Sequence, residues 1–238
     1  MTVSAPSLTQ QIANEIGSAI VRGEYDEANP FPIEADLCQQ FGVSRSILRE
    51  AVKMLTSKGL LKARPRQGTW VQPEEHWNLL DPAVLRWLLA RKFSISLLAE
   101  FTEIRMAIEP QAAAFAARRA TDDQKQYIAN ALERMRAAEM GHDDALAADI
   151  AFHVAILEAS GNRFFTQLKD LVETALTISI RVTNQTAGVE TGSIANHRAI
   201  YDAICDGDAV GARTTSMSLI QEAYDLILEA AETAEEER

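Results

Sequence analysis

The stretch FPIEADLCQQFGVSRSILREAVKMLTSKGLLKARPRQGTWV, from Phe31 to Val71, holds two helical patterns, a tight turn between them and a hairpin pattern behind. The first pattern runs from Ile33 to Phe41, with Pro32 at its start, where a missing N–H costs nothing, and with Ala35, Leu37 and Cys38 facing inward. Gly42 breaks it. Val43 enters the turn, and Ser44 is a natural N-cap whose hydroxyl is free to accept from backbone N–H groups of the next turn. The second pattern runs from Arg45 to about Lys58 and stacks Ile47, Leu48, Ala51, Val52 and Leu55 at helical spacing. Gly59 ends it. Leu60 to Ala63 and Gly68 to Gln72 then read as two short strands around the tip Arg64-Pro-Arg-Gln-Gly68. This order of elements predicts a winged helix-turn-helix.

In such a fold the second helix lies in the major groove of double-stranded DNA with its N-terminal residues at base edges. Arg45 and Arg49 are therefore the base-reading candidates, since arginine reads guanine O6 and N7 bidentately, with Ser44, Ser46 and Lys53 beside them on the open face. The wing tip, with Arg64, Arg66, Gln67, Gly68 and Thr69, suits the minor groove: glycine lets backbone approach closely, and arginines favour its negative potential. A solvated cationic face on an ordinary amphipathic helix would look similar, but local charge argues against it. Residues 45–71 hold seven Lys or Arg and one acid, Glu50, inside a chain of net charge −11. Fold grammar and charge thus agree independently on nucleic acid.

The order Pro32-x-Glu34, Leu37, Phe41-Gly-Val-Ser-Arg45, Leu48-Arg-Glu-Ala51, Leu55, Gly59-Leu60 and Arg66-x-Gly68-Thr69-x-Val71 resembles the DNA-binding domain of the GntR family of bacterial transcription regulators. Members often carry an arginine where this chain has Ala35, and the family uses it at the DNA. The resemblance therefore implies an operator that differs in detail from theirs.

Around this segment, Ser7 to Arg22 carries Ile12, Ile16, Ala19 and Ile20 at helical spacing, with Gly23 just after its end, and is the helix expected behind the helix-turn-helix. Residues 1–75 form the expected DNA-binding domain, near neutral overall, while 76–238 hold fifteen Lys or Arg against twenty-five acids. The acidic part is thus not expected on the DNA. Residues 76–92 read as a linker and connecting helix, with Asp81 as N-cap, Pro82 at its first position, and Trp77 and Trp87 as packing rings. From Ser94 onward strand patterns vanish. Helical patterns cover Ser94 to Ala120, Thr121 to Met140, His142 to Ser160, Arg163 to Thr186, Thr191 to Asp206 and Asp208 onward, predicting an antiparallel all-helical bundle over 93–232 and a frayed tail over 233–238. The fold class is therefore mainly α. No apolar run reaches membrane-spanning length and no signal peptide opens the chain, so a cytoplasmic protein is expected, with Cys38 and Cys205 as reduced thiols.

Asp149 and His153, four residues apart, share one helix face, and His197 arrives on another helix. One carboxylate and two imidazoles inside a bundle make a candidate divalent-metal site with open coordination positions. Taken alone, an Asp and a His four apart are more often a hydrogen-bonded pair on a helix surface. Arg105 and Glu109 read either as a salt bridge, though cation before acid is the poorer helical order, or as separate groups.

The second part resembles the ligand-binding domain of the FadR-type branch of the GntR family, on Glu103-x-Arg105-x-x-x-Glu109-Pro110, Asp149-x-x-x-His153, Ser160-Gly-Asn162, His197-x-x-Ile200 and Gly207-Asp208. The resemblance implies a homodimer binding an inverted-repeat operator, a metal held by Asp149, His153 and His197 (zinc first, nickel or manganese as alternatives), and Arg105 facing a cavity that holds an acidic effector. Asn162, Ser179, Arg181, Thr183 and Asn184 are further candidates for that effector. Many members place another histidine near Leu219 or Ile220, and this chain has none there. The string Trp77-Asn-Leu-Leu-Asp81-x-x-Val84-Leu85-x-Trp87 is similar to D-galactonate-responsive members, which implies a sugar-acid effector and a repressor of a catabolic operon. Two alternatives stay open at this stage, a regulator answering to an acyl chain or amino acid, and a metal-dependent enzyme.

Overall fold

Ser7 opens α1 (Leu8–Val21) by accepting from the Gln10 amide at 3.3 Å, and Ile12, Ile16 and Ile20 bury one face of it. The computed structural model describes residues 6–26, 28–64, 68–91, 95–188 and 193–236, with backbone alone at 91, 185, 187 and 234–236. The chain forms two compact units, divided between residues 93 and 94.

In the first unit α2 spans Glu34–Phe41, and Ile33 is its N-cap in extended conformation. Pro32 therefore lies before the cap and not in the first turn as expected. Gly42 ends α2 in the left-handed region (φ 64°). Ser44 caps α3 (Arg45–Ser57) by accepting from the Ile47 amide, and Leu48, Ala51 and Leu55 are buried beneath it. Strands β1 (Leu61–Arg64) and β2 (Gly68–Val71) pair antiparallel, Leu61 opposite Val71 and Arg64 opposite Gly68.

The segment after β2 folds back on the end of α3. Gln72 Nε2 donates to the Gly59 carbonyl at 3.0 Å, the Asn78 amide to the Lys58 carbonyl at 2.9 Å, and Trp77 Nε1 to the Gln72 carbonyl at 2.9 Å. Asp81 then serves two elements. Its Oδ1 accepts from the Ala83 and Val84 amides at the start of α4 (Pro82–Arg91), and its Oδ2 pairs with Lys58. Helix α4 packs on α1, its Trp87 ring so close to Gly17 that a Cβ there would meet it at 2.4 Å. The stretch read as a linker is thus packed within this unit.

The second unit is all helix among the described residues: α5 (Ile95–Arg119), α6 (Asp122–Glu139), α7 (Ala145–Ala159), α8 (Arg163–Gln167), α9 (Lys169–Ala187), α10 (Ile194–Cys205) and α11 (Ala209–Glu236). Helix α5 packs along α11, α6 along α7, and α10 against α5, α6 and α11. A capping box joins Thr121 and Gln124 at the start of α6. Three boundaries differ from the sequence reading. Helix α7 begins at Ala145 and not His142, because the Asp144 carboxylate accepts from the Ala147 amide. The single helix expected over Arg163 to Thr186 breaks at Leu168, whose amide turns to the Phe165 carbonyl at 3.0 Å. The tail expected to fray from 233 is helical through Glu236. The first residues expected in α10, 191 and 192, lie outside the described residues.

Gly59 joins α3 to β1 at φ 81°, and a Cβ there would lie 2.1 Å from the His76 carbonyl oxygen. Gly23 has a similar φ of 75° with nothing within 4 Å. Urea unfolding of the full chain should therefore lose about 3 kcal/mol or more for Gly59→Ala, against about 1 kcal/mol for Gly23→Ala.

Candidate functional site

The cationic face of α3 is exposed, but its arginines are engaged. Arg49 Nε donates to Glu34 Oε2 at 2.8 Å, and Arg45 Nε lies 3.8 Å from Glu34 Oε1. Arg49 in turn holds the Glu34 carboxyl below its usual value. Lys53 Nζ pairs with Glu50 at 2.7 Å, and the Ser44 and Ser46 hydroxyls lie 2.9 Å apart. Arg49, Lys53 and Thr69 line one groove of about 240 Å³ between α3 and the wing. Arg64 sits over the Trp70 ring at 5.6 Å, and Gly68 closes the hairpin opposite it at φ 90°. Arg66 and Gln67 lie outside the described residues.

The second candidate site is a cavity of about 280 Å³ in the helical unit. One helical turn of α7 presents Asp149 and His153, and the first turn of α10 presents His197, all three nearly fully buried. His153 Nδ1 lies 2.7 Å from Glu109 Oε2 on α5, and His197 Nδ1 lies 2.7 Å from the Ser193 carbonyl. Each acceptor draws the Nδ1 proton and leaves Nε2 aimed at Asp149 Oδ1, at 3.3 Å from His153 and 3.5 Å from His197. These approaches lack hydrogen-bond alignment, so Asp149 Oδ1 and His197 Nε2 are buried with no hydrogen-bond partner. The three donor atoms all lie within 4.8 Å of one another. Two imidazoles and a carboxylate with their other nitrogens already fixed fit a divalent cation. Phe152 sets the rings at an angle, edge-on to His197 at 5.0 Å and to His153 at 6.0 Å.

Arg105 lines the same cavity and is bound by Glu109, Nε to Oε1 at 2.6 Å, with Nη1 3.5 Å from Ser179 Oγ. The salt bridge that helical order disfavoured is therefore made. Both partners are only 3% exposed, so the rule for solvated pairs does not govern them. Burial would raise the Glu109 carboxyl, but Arg105 and His153 overcome it and hold the group at about 2. Burial would likewise lower His153, and the charges of Glu109 and Asp149 overcome it, raising the imidazole to about 9. Thr183 and Asn184 also line the cavity. Asn162 does not: its side chain caps α8 by accepting from the Phe164 amide at 3.0 Å. Arg181 is exposed and also outside the lining.

Residues 8–71 match the description "Bacterial regulatory proteins, gntR family", and residues 100–222 match the "FCD domain". The "Galactonate operon transcriptional repressor" of Escherichia coli K12 is 32% identical over 216 residues, 89% of this chain and 93% of that one. The chain belongs to the GntR family of bacterial transcription regulators. A second GntR-type relative from E. coli K12, the "Uncharacterized HTH-type transcriptional regulator YieP", is 35% identical over 220 residues, 88% of this chain and 94% of that one. Among solved structures, "Streptococcus agalactiae GntR" matches at a TM-score of 0.51 and 25% identity, covering 91% of this chain and 99% of that one. As a GntR regulator the chain binds DNA through its helix-turn-helix and is not an enzyme, and its FCD domain implies a small-molecule effector. No helix among the described residues is long and apolar enough to cross a membrane.

Several residues of these GntR sites escaped sequence reasoning. Glu34 stood in the family motif without its role as partner of Arg45 and Arg49. Glu109 stood beside Arg105, but its reach to His153, 44 residues away, has no local signature. Leu219 lines the cavity and Ile220 is in the core, so α11 offers no histidine, and the polar residue it brings to the cavity is Glu222.

His153 is raised from 6.5 to about 9 in the metal-free protein, so its contribution to stability is full below pH 6.5 and is lost as pH rises through about 9. Urea unfolding in chelator should show wild type losing roughly 2–4 kcal/mol over that window relative to His153→Gln. Equal slopes for the two proteins would contradict the buried His153–Glu109 contact.

Proposed function

We propose that this GntR regulator is a homodimeric repressor of a sugar-acid catabolic operon, released from an inverted-repeat operator by a sugar acid bound in the FCD cavity. The observation that carries the reading is the convergence of Asp149, His153, His197 and Arg105 on one buried polar cavity, walled further by Ser179, Thr183 and Asn184. The kinship to a galactonate operon repressor supports the same class of effector. A wall that carries the Ser179 and Thr183 hydroxyls suits a hydroxylated ligand better than an acyl chain, which brings no hydrogen-bonding group to it.

Asp149, His153 and His197 would hold a divalent ion, zinc first, which supplies positive charge and open positions for a carboxylate. Arg105, held by Glu109 through Nε and Nη2, offers Nη1, beside Ser179, to that carboxylate. Ser179 and Thr183, one turn apart on α9, face the hydroxyls. Control of transcription then requires the acid to bind the DNA-free state more tightly than the DNA-bound one.

On the DNA, Arg45 and Arg49 leave Glu34 to read base edges, while Ser44, Ser46, Lys53, Thr69 and the wing tip position the backbone. In gel-shift titrations, Arg45→Ala or Arg49→Ala should each weaken operator binding by about 1–3 kcal/mol, and Lys53→Ala should weaken specific and non-specific DNA alike.

The effector half is tested by titrating the operator complex with sugar acids, fatty acids and amino acids, with and without chelator. Release by a sugar acid, lost on chelation and in Asp149→Ala or His197→Ala, is the expected result. Release by an acyl chain, indifferent to chelator, would overturn it.

A further inference from the structure

The polar groups of the FCD cavity are unevenly placed. Arg105, Asp149, His153 and His197 are each at most 7% exposed and form its floor, whereas Glu222 lines the same cavity from an exposed position and so stands at its rim. Leu219, Ala223 and Leu226, three and four residues apart on α11, share that wall with it. Glu222 is thus the one polar residue that α11 brings to the cavity among the described residues. Asn196 Nδ2 donates to Glu222 Oε2 at 2.9 Å, which anchors the carboxylate to α10 next to His197 and leaves Oε1 to accept.

The charges of the cavity limit its occupant. Arg105 is the one Lys or Arg in the described lining, and Glu109 already neutralises it. A divalent ion held by neutral imidazoles would be matched by Asp149 and Glu222. One carboxylate finds both the ion and the guanidinium at the floor, but a second at the rim finds no cation and faces Glu222. An ionised carboxylate accepts hydrogen bonds and donates none, so whatever lies against it must bring donors.

We propose that Glu222 is the specificity-determining residue of the cavity, accepting from the terminal hydroxyls of a polyhydroxylated monocarboxylate and rejecting a second carboxylate. The inference rests on the sugar-acid reading above and narrows it from sugar acids in general to aldonates over aldarates. Discrimination comes as much from the repulsion built against the diacid as from attraction to the monoacid.

The test is calorimetric binding to zinc-loaded full-length protein of two matched pairs, D-gluconate with D-glucarate and D-galactonate with galactarate. Members of a pair differ only in the oxidation of the terminal carbon. For at least one pair, wild type should bind the aldonate about tenfold or more tightly than the aldarate. Glu222→Gln, which keeps the shape and the Asn196 contact, should bring the two within about threefold, and Glu222→Lys should invert the preference. An aldarate that binds wild type as well as its aldonate, or a ratio unchanged in both variants, overturns the role of Glu222 and leaves the sugar-acid reading standing. Binding of neither acid from either pair overturns both.

Discussion

A carboxylate with 3% of its surface exposed persists in a helical core only if charge surrounds it, and Glu109 meets that condition on both sides. Arg105 reaches both oxygens, most closely Oε1, and His153 holds Oε2. Removing one partner of such a buried pair costs about 3–5 kcal/mol, because the survivor is left desolvated and alone. Helices α5 and α7 are consequently fixed relative to each other at this point. The arrangement also decides chemistry: with Nδ1 of His153 committed to Glu109, and Nδ1 of His197 to the Ser193 carbonyl, both Nε2 atoms must face Asp149. Phe152, fully buried against both rings, leaves them little freedom to turn away.

Another arginine-clasping carboxylate lies at the opposite extreme of environment. Glu34 holds Arg49 and approaches Arg45 on an exposed face, where water competes for every group. In the proposed DNA complex its grip is weak enough to yield to base edges and phosphates, and without DNA it keeps the two side chains together. The same kind of ion pair is thus firm where it is buried and open to competition where it is wet.

Local chemistry made the helix-turn-helix of the first unit legible in sequence, although Ala35, expected inward, is exposed and the stretch read as a linker packs within the unit. The Ser44 cap, the left-handed Gly42, the apolar triad Leu48, Ala51 and Leu55, and the glycine behind the wing each act within a few positions of themselves. The helical unit was legible where caps and glycines punctuate it, as at Thr121 and Gly207, and illegible at Leu168, where neither marks the break. The cluster of Asp149, His153 and His197 could be assembled from spacing and family likeness, because Asp149 and His153 are one turn apart. The Glu109 bridge could not, since it depends on a packing distance between helices. Asn162 and Arg181 were misplaced for the complementary reason: a polar residue near a site in sequence can spend its side chain on a cap, as Asn162 does, or on solvent.

Asp149, His153 and His197, as the proposed metal centre, have their donor nitrogens set by their neighbours. Isothermal titration of chelator-treated protein with zinc, near pH 7.5 in buffers of different ionisation enthalpy, tests it directly. Such a centre takes one ion per chain and releases close to one proton, because His153 is protonated between its two carboxylates and must be neutral to bind. Zinc binding that survives Asp149→Ala unchanged, or no binding at all, would contradict it.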